Sequence, residues 1–227
     1  MTSLLDLGAD YRTAREDVAA LVRALGPEQL AAPVPACPGW NVHDVVSHLT
    51  GMATDAVNGR LSGMPEPSQT GAQVAERAGS PTSIVLREWE RTASQYEVVL
   101  SKSSSSSVSA VVGVVVHEQD IRGALGLPGN RDSPIIEAAL GRNLEVFASK
   151  VESAGLPGVV FIEGADVIAG LPAAPITYRA SRFEVFRAVF GRRSRPQIER
   201  RFSGTEDPSP YVPLLCVFGP ADTDIIE

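Results

Sequence analysis

The sequence predicts an α+β protein: an amino-terminal bundle of four, or at most five, helices over residues 1–154, then a small α/β domain over residues 155–227. In the first part, apolar residues recur every three or four positions, which is the period of amphipathic helices. After Gly155-Leu156-Pro157-Gly158 the pattern changes to short β-branched runs separated by Gly and Pro, which is typical of strands. A chain of 227 residues is long enough for two modest domains.

The first two helices are predicted from apolar stripes and capping residues. The first stripe comprises Leu4, Leu7, Tyr11, Ala14, Val18, Leu21 and Leu25. Gly26-Pro27 ends that helix, and the rigid turn PVPACPGW follows. Asn41 is a predicted N-cap with Asp44 in the first turn, so a second helix runs to about Gly59. Its inner face is predicted to be Val45, Leu49, Met52 and Ala56.

The middle of the chain is predicted to contain a loop and three helices. A stretch rich in Gly, Pro and Ser, residues 61–79, predicts a long loop, and the serine run 103–107 predicts a flexible connection. Helix three begins at Ser80-Pro81 and helix five at Ser133-Pro134. Their stripes are Val85, Trp89, Thr92, Tyr96 and Val99, and Ile136, Leu140, Leu144, Phe147 and Val151.

Helix four is the segment SVSAVVGVVVHEQDIRGALGLPG, in which local propensity and context disagree. The β-branched run favours a buried strand. However, EQDIRGAL continues the segment with helical character, and the three preceding helices need a partner, so we predict a helix.

The carboxy-terminal domain is predicted from short elements. GVVFIEG, ADVIAG and PITYRA are strand-like, and Ser181 with Glu184 forms a capping box that opens a helix ended by Gly191. A second short helix is predicted near Pro196, and YVPLLCVFG is predicted as a last strand.

Composition excludes some classes of function. The net charge of -7 argues against a general nucleic-acid binder, and no apolar run is long enough to span a bilayer. The first residues carry acids and arginines where a secretory signal would carry an apolar core, so we expect a cytoplasmic protein. Cys37 and Cys216 form no CxxC pair, and reduced thiols fit a cytoplasmic protein. Cys37 lies in a turn beside Pro38 and Gly39, so it is either a reactive thiol or, our preferred interpretation, a small apolar filler.

The three histidines differ in their predicted surroundings. His43 lies between positions of helix two that are expected to face solvent. His48 stands with Val45 and Leu49 on the inward face, and His117 lies in the valine-rich helix four. A buried histidine is commonly a hydrogen-bonded core residue, but two inward imidazoles on facing helices of a bundle also make a divalent-metal site a hypothesis, because bundle cores commonly hold metals. A catalytic zinc needs three protein ligands, and the histidines supply two of them.

Several segments of the chain resemble a known family. CPGWNVHDVVSHLTG is similar to the second-helix signature of the DinB-like, mycothiol-dependent maleylpyruvate isomerase family, and VVVHEQDIRGALGLP is similar to its fourth-helix signature. FIEGADVIAG and PITYRASRFEVFRAVFGRRS resemble the small carboxy-terminal domain of that family.

The resemblance implies a metal site with one difference in this chain. In the family a divalent metal, typically zinc, is held by the histidine of the second helix and by an acid and a histidine one turn apart on the fourth. His48 and His117 match the two histidines, but Gly113 occupies the position of the acid. Either Asp44 or Asp120 supplies the third ligand, or the ion is bound weakly or not at all.

The resemblance also implies thiol chemistry on a small electrophile, with mycothiol as co-substrate, in an isomerase or S-transferase. Between Arg179 and Arg201 lie eight arginines against two glutamates. Arg192 matches the family arginine that helps to bind a dicarboxylate substrate, with Arg193 as its neighbour. We expect small-molecule partners only, no nucleic acid or membrane, and a monomer or homodimer. The alternative is a non-catalytic module that binds small anions and has a degenerate metal site.

Overall fold

The computed structural model describes residues 6–61, 63, 65–102 and 108–227. The chain divides into two compact units, Met1–Pro128 and Gly129–Glu227. The first unit is helical and the second combines helices with a small sheet, as the sequence predicts.

The described residues of the amino-terminal unit are built on four long helices. The helices of this unit are α1 (Leu7–Arg23), α2 (Pro27–Leu30), α3 (Val42–Val57), α4 (Pro67–Ala75), α5 (Thr82–Ser101) and α6 (Val108–Leu125). α1 packs against α5 and α6, and α3 packs against α4, α5 and α6. The four long helices α1, α3, α5 and α6 therefore form the predicted bundle.

The apolar stripes of α1 and α5 are close to those predicted, with differences at their ends. Leu4 lies outside the described residues, and α1 ends at Arg23, before Leu25. On α5, Val99 is 50% exposed whereas Leu100 is 2% exposed. The helical period therefore continues from Tyr96 by a step of four residues, and the assignment of Val99 to the stripe is wrong.

The valine-rich segment forms helix α6, which confirms the prediction made against its strand propensity. Val111, Val114 and Val115 are at most 3% exposed. α6 lies against both α1 and α3, so its β-branched side chains are buried between helices. The burial of these side chains outweighs their modest helix propensity.

The predicted loop over residues 61–79 contains a helix, α4. Pro67 occupies its first turn, where a missing N–H costs nothing. The Gln69 side chain accepts the N–H of Glu66 at 2.9 Å and so closes the amino-terminal end. The Gly, Pro and Ser content of this stretch was therefore a misleading signal. The serine run 103–107 lies outside the described residues.

The carboxy-terminal unit contains a four-stranded sheet. Its elements are α7 (Pro134–Ser153), β1 (Val159–Glu163), β2 (Asp166–Ala169), β3 (Ile176–Arg179), α8 (Arg182–Val189), α9 (Arg195–Glu199), β4 (Phe202–Ser203), a 3-10 turn (Ser209–Tyr211) and α10 (Val212–Leu215). The strand order is β2-β1-β3-β4. β1 is antiparallel to β2 and parallel to β3, and β3 is antiparallel to β4.

The boundary between the units differs from the predicted boundary at residues 154/155. Helix α7 packs against α8 and α10, and the units divide between Pro128 and Gly129. The buried stripe of α7, which includes Ile136, Leu140 and Leu144, thus contributes to the core of the carboxy-terminal unit.

The predicted last strand, YVPLLCVFG, is wrong. Its first half forms the 3-10 turn and α10, and the fourth strand is the earlier pair Phe202–Ser203. Pro213 lies in the first turn of α10. Proline has no N–H to donate to a strand ladder but is well suited to a first helical turn.

Within the described part of the chain, every helix is too short or too polar to cross a bilayer.

Candidate functional site

His48 is held on the buried face of α3 by a capped helix start. The Asn41 side chain accepts the N–H of Asp44 at 2.9 Å, and the Asp44 carboxylate accepts the N–H of Asn41 at 3.0 Å. This reciprocal pair sets where the helix begins and therefore which residues face inward. His48 is 7% exposed and lies beside Val45, which is fully buried. The Asp44 carboxylate is engaged at the helix end.

Gln73 on α4 determines the hydrogen bonding of His48. Its Oε1 lies 2.8 Å from His48 Nδ1, and its Nε2 donates to Asp55 Oδ2 at 2.7 Å. A carboxylate only accepts, so Asp55 requires the NH₂ group of Gln73 on its side and leaves Oε1 to face the imidazole. His48 Nδ1 must then carry the proton, and the ring lone pair lies on Nε2. Arg60 Nε donates to the same Asp55 carboxylate at 2.8 Å, so the hydrogen bonds run from His48 through Gln73 and Asp55 to Arg60.

Gly51 on α3 allows α4 to approach closely enough for this contact. A Cβ at Gly51 would lie 2.5 Å from both Cβ and Cγ of Gln73, a separation that real atoms do not adopt. The small residue therefore leaves the space that the Gln73 side chain occupies.

The two histidines predicted to converge are adjacent in the structure. The ring centroids of His48 and His117 are 5.2 Å apart, with an interplanar angle of 81°. The Trp40 ring also lies against His48, with centroids 5.2 Å apart. The edge-on arrangement of the two imidazoles is a normal aromatic contact. The distance between the His48 and His117 centroids also suits a shared ion. Two imidazoles bound to one tetrahedral zinc, with Zn–N bonds of about 2.0–2.1 Å, have centroids about 5 Å apart.

Cys37 and Asp120 lie on the Nδ1 side of His117. Asp120 Oδ2 is 3.0 Å from His117 Nδ1, and Cys37 Sγ is 3.4 Å from Asp120 Oδ2 and 3.8 Å from His117 Nδ1. Asp120 is 1% exposed. We refer to Cys37, His48, His117 and Asp120 as the histidine–cysteine cluster.

The turn that carries Cys37 is rigid. The Cys37 N–H donates to the carbonyl of Val34 at 2.9 Å, and the Trp40 N–H donates to the carbonyl of Cys37 at 3.0 Å. The interpretation of Cys37 as an apolar filler is therefore wrong, since its sulfur contacts an imidazole and a carboxylate. The one signal in the sequence was its position in the turn just before the helix that carries His48.

Gly113 lies one turn before His117 on α6. A Cβ built at this position would meet no atom within 4 Å. The space for a larger side chain is therefore present, although the glycine itself offers no ligand.

His43, the third histidine, is half-buried rather than solvent-facing. Its Nδ1 lies 2.8 Å from Thr82 Oγ1 and its Nε2 lies 3.3 Å from the carbonyl oxygen of Arg77. These contacts connect α3 to the start of α5 and to the segment before it, so the role of His43 is to hold the helices together.

The donor types of the histidine–cysteine cluster suit a divalent metal of the zinc type. Imidazole nitrogen, thiolate sulfur and carboxylate oxygen are the three ligand classes that zinc uses in proteins. The ligand atoms of Cys37, His117 and Asp120 all lie within 4.8 Å of one another. The residues present therefore fit the kind of ion that the resemblance implies.

Arg192, the predicted substrate-binding residue, follows α8 in the carboxy-terminal unit. Gly191 precedes it with φ +74°, and a Cβ there would lie 2.4 Å from the carbonyl oxygen of Gly219, so the turn requires glycine. Arg192 is half-buried and its Nη1 donates to the carbonyl of Phe190 at 2.7 Å.

Arg193 has a structural role. It is 5% exposed and donates through Nε to Glu184 at 3.0 Å and through Nη2 to Glu227 at 3.3 Å. Burial opposes the charged form of Glu184, but the hydrogen bond from Arg193 and nearby positive charges outweigh it, and the pKa of Glu184 is lowered.

The second cysteine, Cys216, lies in the carboxy-terminal unit and is buried. Its sulfur donates to the carbonyl of Ala188 at 3.3 Å. Burial raises the pKa of the Cys216 thiol to about 11, so it stays protonated near neutral pH.

A four-helix bundle in which two imidazoles and a carboxylate on the helices meet a thiol from the turn before α3 has the architecture and the donor set of metal-binding bundles. Residues 11–122 match the family model of the mycothiol maleylpyruvate isomerase N-terminal domain, and this match contains all four cluster residues. The chain belongs to this family through its helical unit.

Two solved structures resemble the chain. A crystal structure of a histidine-to-alanine mutant of the mycothiol-dependent maleylpyruvate isomerase is 13% identical, with TM-score 0.52, over 88% of this chain and 93% of that chain. A crystal structure of the mycothiol-dependent maleylpyruvate isomerase is 14% identical, with TM-score 0.49, over 82% of this chain and 88% of that chain. At such identity the first likeness is one of fold. No curated protein sequence matches the chain significantly.

Proposed function

We propose that this protein is a metal-dependent enzyme that uses a low-molecular-weight thiol, mycothiol, to isomerise a small electrophile that bears a carboxylate or to attach the thiol to it. His48 and His117 are the proposed metal ligands. The observation that carries the proposal is their 5.2 Å ring separation, combined with the Gln73 contact that leaves the lone pair of His48 on Nε2. Metal-bound histidines commonly donate their second ring N–H to an oxygen in this way.

Membership of a family named for a mycothiol isomerase supports the choice of co-substrate. A bound divalent ion would supply the Lewis acidity that stabilises a thiolate at neutral pH. In an isomerase, the thiol sulfur adds to an activated cis double bond, the resulting single bond rotates, and loss of the thiol gives the trans product. In a transferase that acts by addition, the C–S bond replaces the π bond, the neighbouring carbon takes up the proton that the thiol lost, and the sulfur stays attached.

The chain's own residues would orient the ligands and the substrate. Gln73 holds the ring of His48, and Asp55 holds Gln73. Arg192 is our proposal for the residue that binds a substrate carboxylate, since the planar guanidinium fork matches that group. Arg193 is unsuited to this role because Glu184 and Glu227 already occupy its guanidinium.

The alternative of a non-catalytic module that binds anions through its arginine-rich segment is not favoured. Several of those arginines are paired with carboxylates inside the carboxy-terminal unit. These pairs involve Arg182, Arg187, Arg193, Arg195 and Arg201.

The experiment measures the metal content of untagged protein prepared without chelators, followed by turnover of maleylpyruvate with mycothiol. We expect close to one equivalent of zinc per chain, and loss of most of it in His48→Ala and in His117→Ala. His43→Ala is the matched control, because this histidine bonds to Thr82 and should leave the metal content unchanged. Metal at a small fraction of an equivalent, unchanged by His48→Ala, would rule the proposal out.

A further inference from the structure

The position that should supply the acidic ligand is a glycine, so His48 and His117 alone do not make a complete zinc site. A catalytic zinc normally takes three protein ligands. Gly113 offers none, and Asp44 is engaged at the amino-terminal end of α3. The missing donors must therefore come from elsewhere if the site holds a metal tightly.

Three donor atoms in the histidine–cysteine cluster have the mutual spacing of ligands around one ion. Tetrahedral zinc ligands with bond lengths of about 2.0–2.3 Å lie about 3.4–3.6 Å from one another. The separations here are 3.8 Å for Cys37 Sγ to His117 Nδ1, 3.4 Å for Cys37 Sγ to Asp120 Oδ2, and 3.0 Å for His117 Nδ1 to Asp120 Oδ2. Each differs from the tetrahedral value by a few tenths of an ångström.

Charge and rigidity also favour an ion at this point. Asp120 is 1% exposed, and a buried carboxylate is stabilised by a cation. Cys37 is carried by a turn whose backbone hydrogen bonds to Val34 and Trp40 restrict it, and His117 and Asp120 are one turn apart on α6. The three donors are thus already close together and need only small shifts.

We propose that Cys37 and Asp120 are metal ligands that replace the acid missing at Gly113 and, with His117, supply three donors to one ion. His48, whose ring centroid lies 5.2 Å from that of His117, is the fourth ligand. This inference rests on the proposed function, because it specifies the ligands of the same ion. Zinc can expand to five ligands, so four protein donors still permit an external thiol to bind. The sulfur of Cys37 makes the proposal measurable without any assay of activity.

The test is titration of the metal-free full-length protein with Co²⁺, followed by absorption spectroscopy. We expect a thiolate-to-cobalt charge-transfer band in the near ultraviolet and the intense visible bands of a four-coordinate ion. Cys37→Ser should remove the charge-transfer band, and Cys216→Ser, the matched control, should retain it. Loss of a residue that only orients a metal ligand typically weakens metal binding by about 10–100-fold. In a chelator competition, Asp120→Asn and Cys37→Ser should each weaken zinc binding by more than this.

The outcomes separate this inference from the proposed function. Stoichiometric cobalt binding without a charge-transfer band in the unmodified protein would overturn the role of Cys37 and leave a histidine-held metal intact. A band that survives Cys37→Ser but disappears in Cys216→Ser would also overturn it. Failure of the unmodified protein to bind either metal would overturn both proposals. The Cd²⁺ complex of the unmodified protein gives a second sulfur-specific ultraviolet band, so the test does not depend on the folding of any variant.

Discussion

The side-chain oxygen of Gln73 lies 2.8 Å from Nδ1 of His48, and the Gln73 amide nitrogen lies 2.7 Å from Asp55. Because the carboxylate of Asp55 determines which way the amide points, a residue on α3 and a residue on α4 together determine which ring nitrogen of His48 carries the proton. This relationship connects α4, which lies in a stretch that the sequence pattern predicts to be a loop, to His48, which the pattern predicts to face inward.

We therefore predict that Gln73→Leu, which keeps the size of the side chain but removes both hydrogen bonds, weakens zinc binding by about 10–100-fold. The physical reason is that the His48 ring loses the acceptor that orients it. Chelator competition measures the affinity, and Ser68→Ala on the exposed face of the same helix is the control. Equal affinities of Gln73→Leu and Ser68→Ala would contradict the prediction.

Two glycines on the bundle helices should respond oppositely to the same substitution. Gly113→Ala should stabilise the protein by about 0.5–1 kcal/mol, because its Cβ meets no atom within 4 Å and alanine favours the helix. Gly51→Ala should destabilise it by about 1–3 kcal/mol, because its Cβ would overlap the Gln73 side chain. Urea unfolding gives both values, and changes of the same sign would refute the packing described for α3 and α4.

Restoring the absent acid should compensate for loss of the thiol. In the Cys37→Ser background, Gly113→Glu is expected to recover cobalt binding without the thiolate charge-transfer band, since a carboxylate one turn before His117 has open space around its Cβ. The Cys37→Ser, Gly113→Ala double variant controls for the gain in helix propensity. If the glutamate and alanine variants bind cobalt equally, position 113 does not reach the ion.

Arg192 and Arg195 offer a matched pair for the proposed substrate contact. Arg192→Ala should raise KM for a carboxylate-bearing substrate by about tenfold or more. The reason is that it removes one charge-assisted hydrogen bond, which contributes about 1.5–3 kcal/mol to binding. Arg195→Ala, which removes an exposed pair with Glu199, should change it little. Steady-state kinetics at saturating mycothiol provides the comparison, and an unchanged KM in Arg192→Ala would show that Arg192 does not bind the substrate carboxylate.

The carboxy-terminal unit should lose stability in acid partly through Glu184. The pKa of this carboxyl is lowered from its ordinary 4.5, so its contribution is fully present above pH 4.5 and is lost as the pH falls through the lowered value. Glu184→Gln should therefore be less stable than the natural protein at pH 7, with the difference shrinking below pH 4.5. Urea unfolding at several pH values measures this, with the exposed Glu152→Gln as control. A difference that is constant with pH would show that the ion pair with Arg193 is not its source.

Much of the fold could be predicted because helical periodicity and caps are local properties of the chain. The stripe through Tyr11 and Val18, the Asn41 cap and the capping residue Ser181 each depend on neighbours within a few positions. Two elements were predicted wrongly because a proline can either interrupt regular structure or occupy the first turn of a helix. Pro67 begins α4 and Pro213 lies in the first turn of α10, whereas the sequence pattern predicts a loop and a strand there.

The sequence by itself determined that His48 and His117 face the interior of a helical bundle, because their positions follow from the apolar residues one turn away. Only the tertiary structure decided which groups meet them. The contacts of Gln73 with His48 and of Cys37 with His117 join residues 25 and 80 positions apart. Such contacts depend on how helices and turns pack against one another, and no local period encodes that packing.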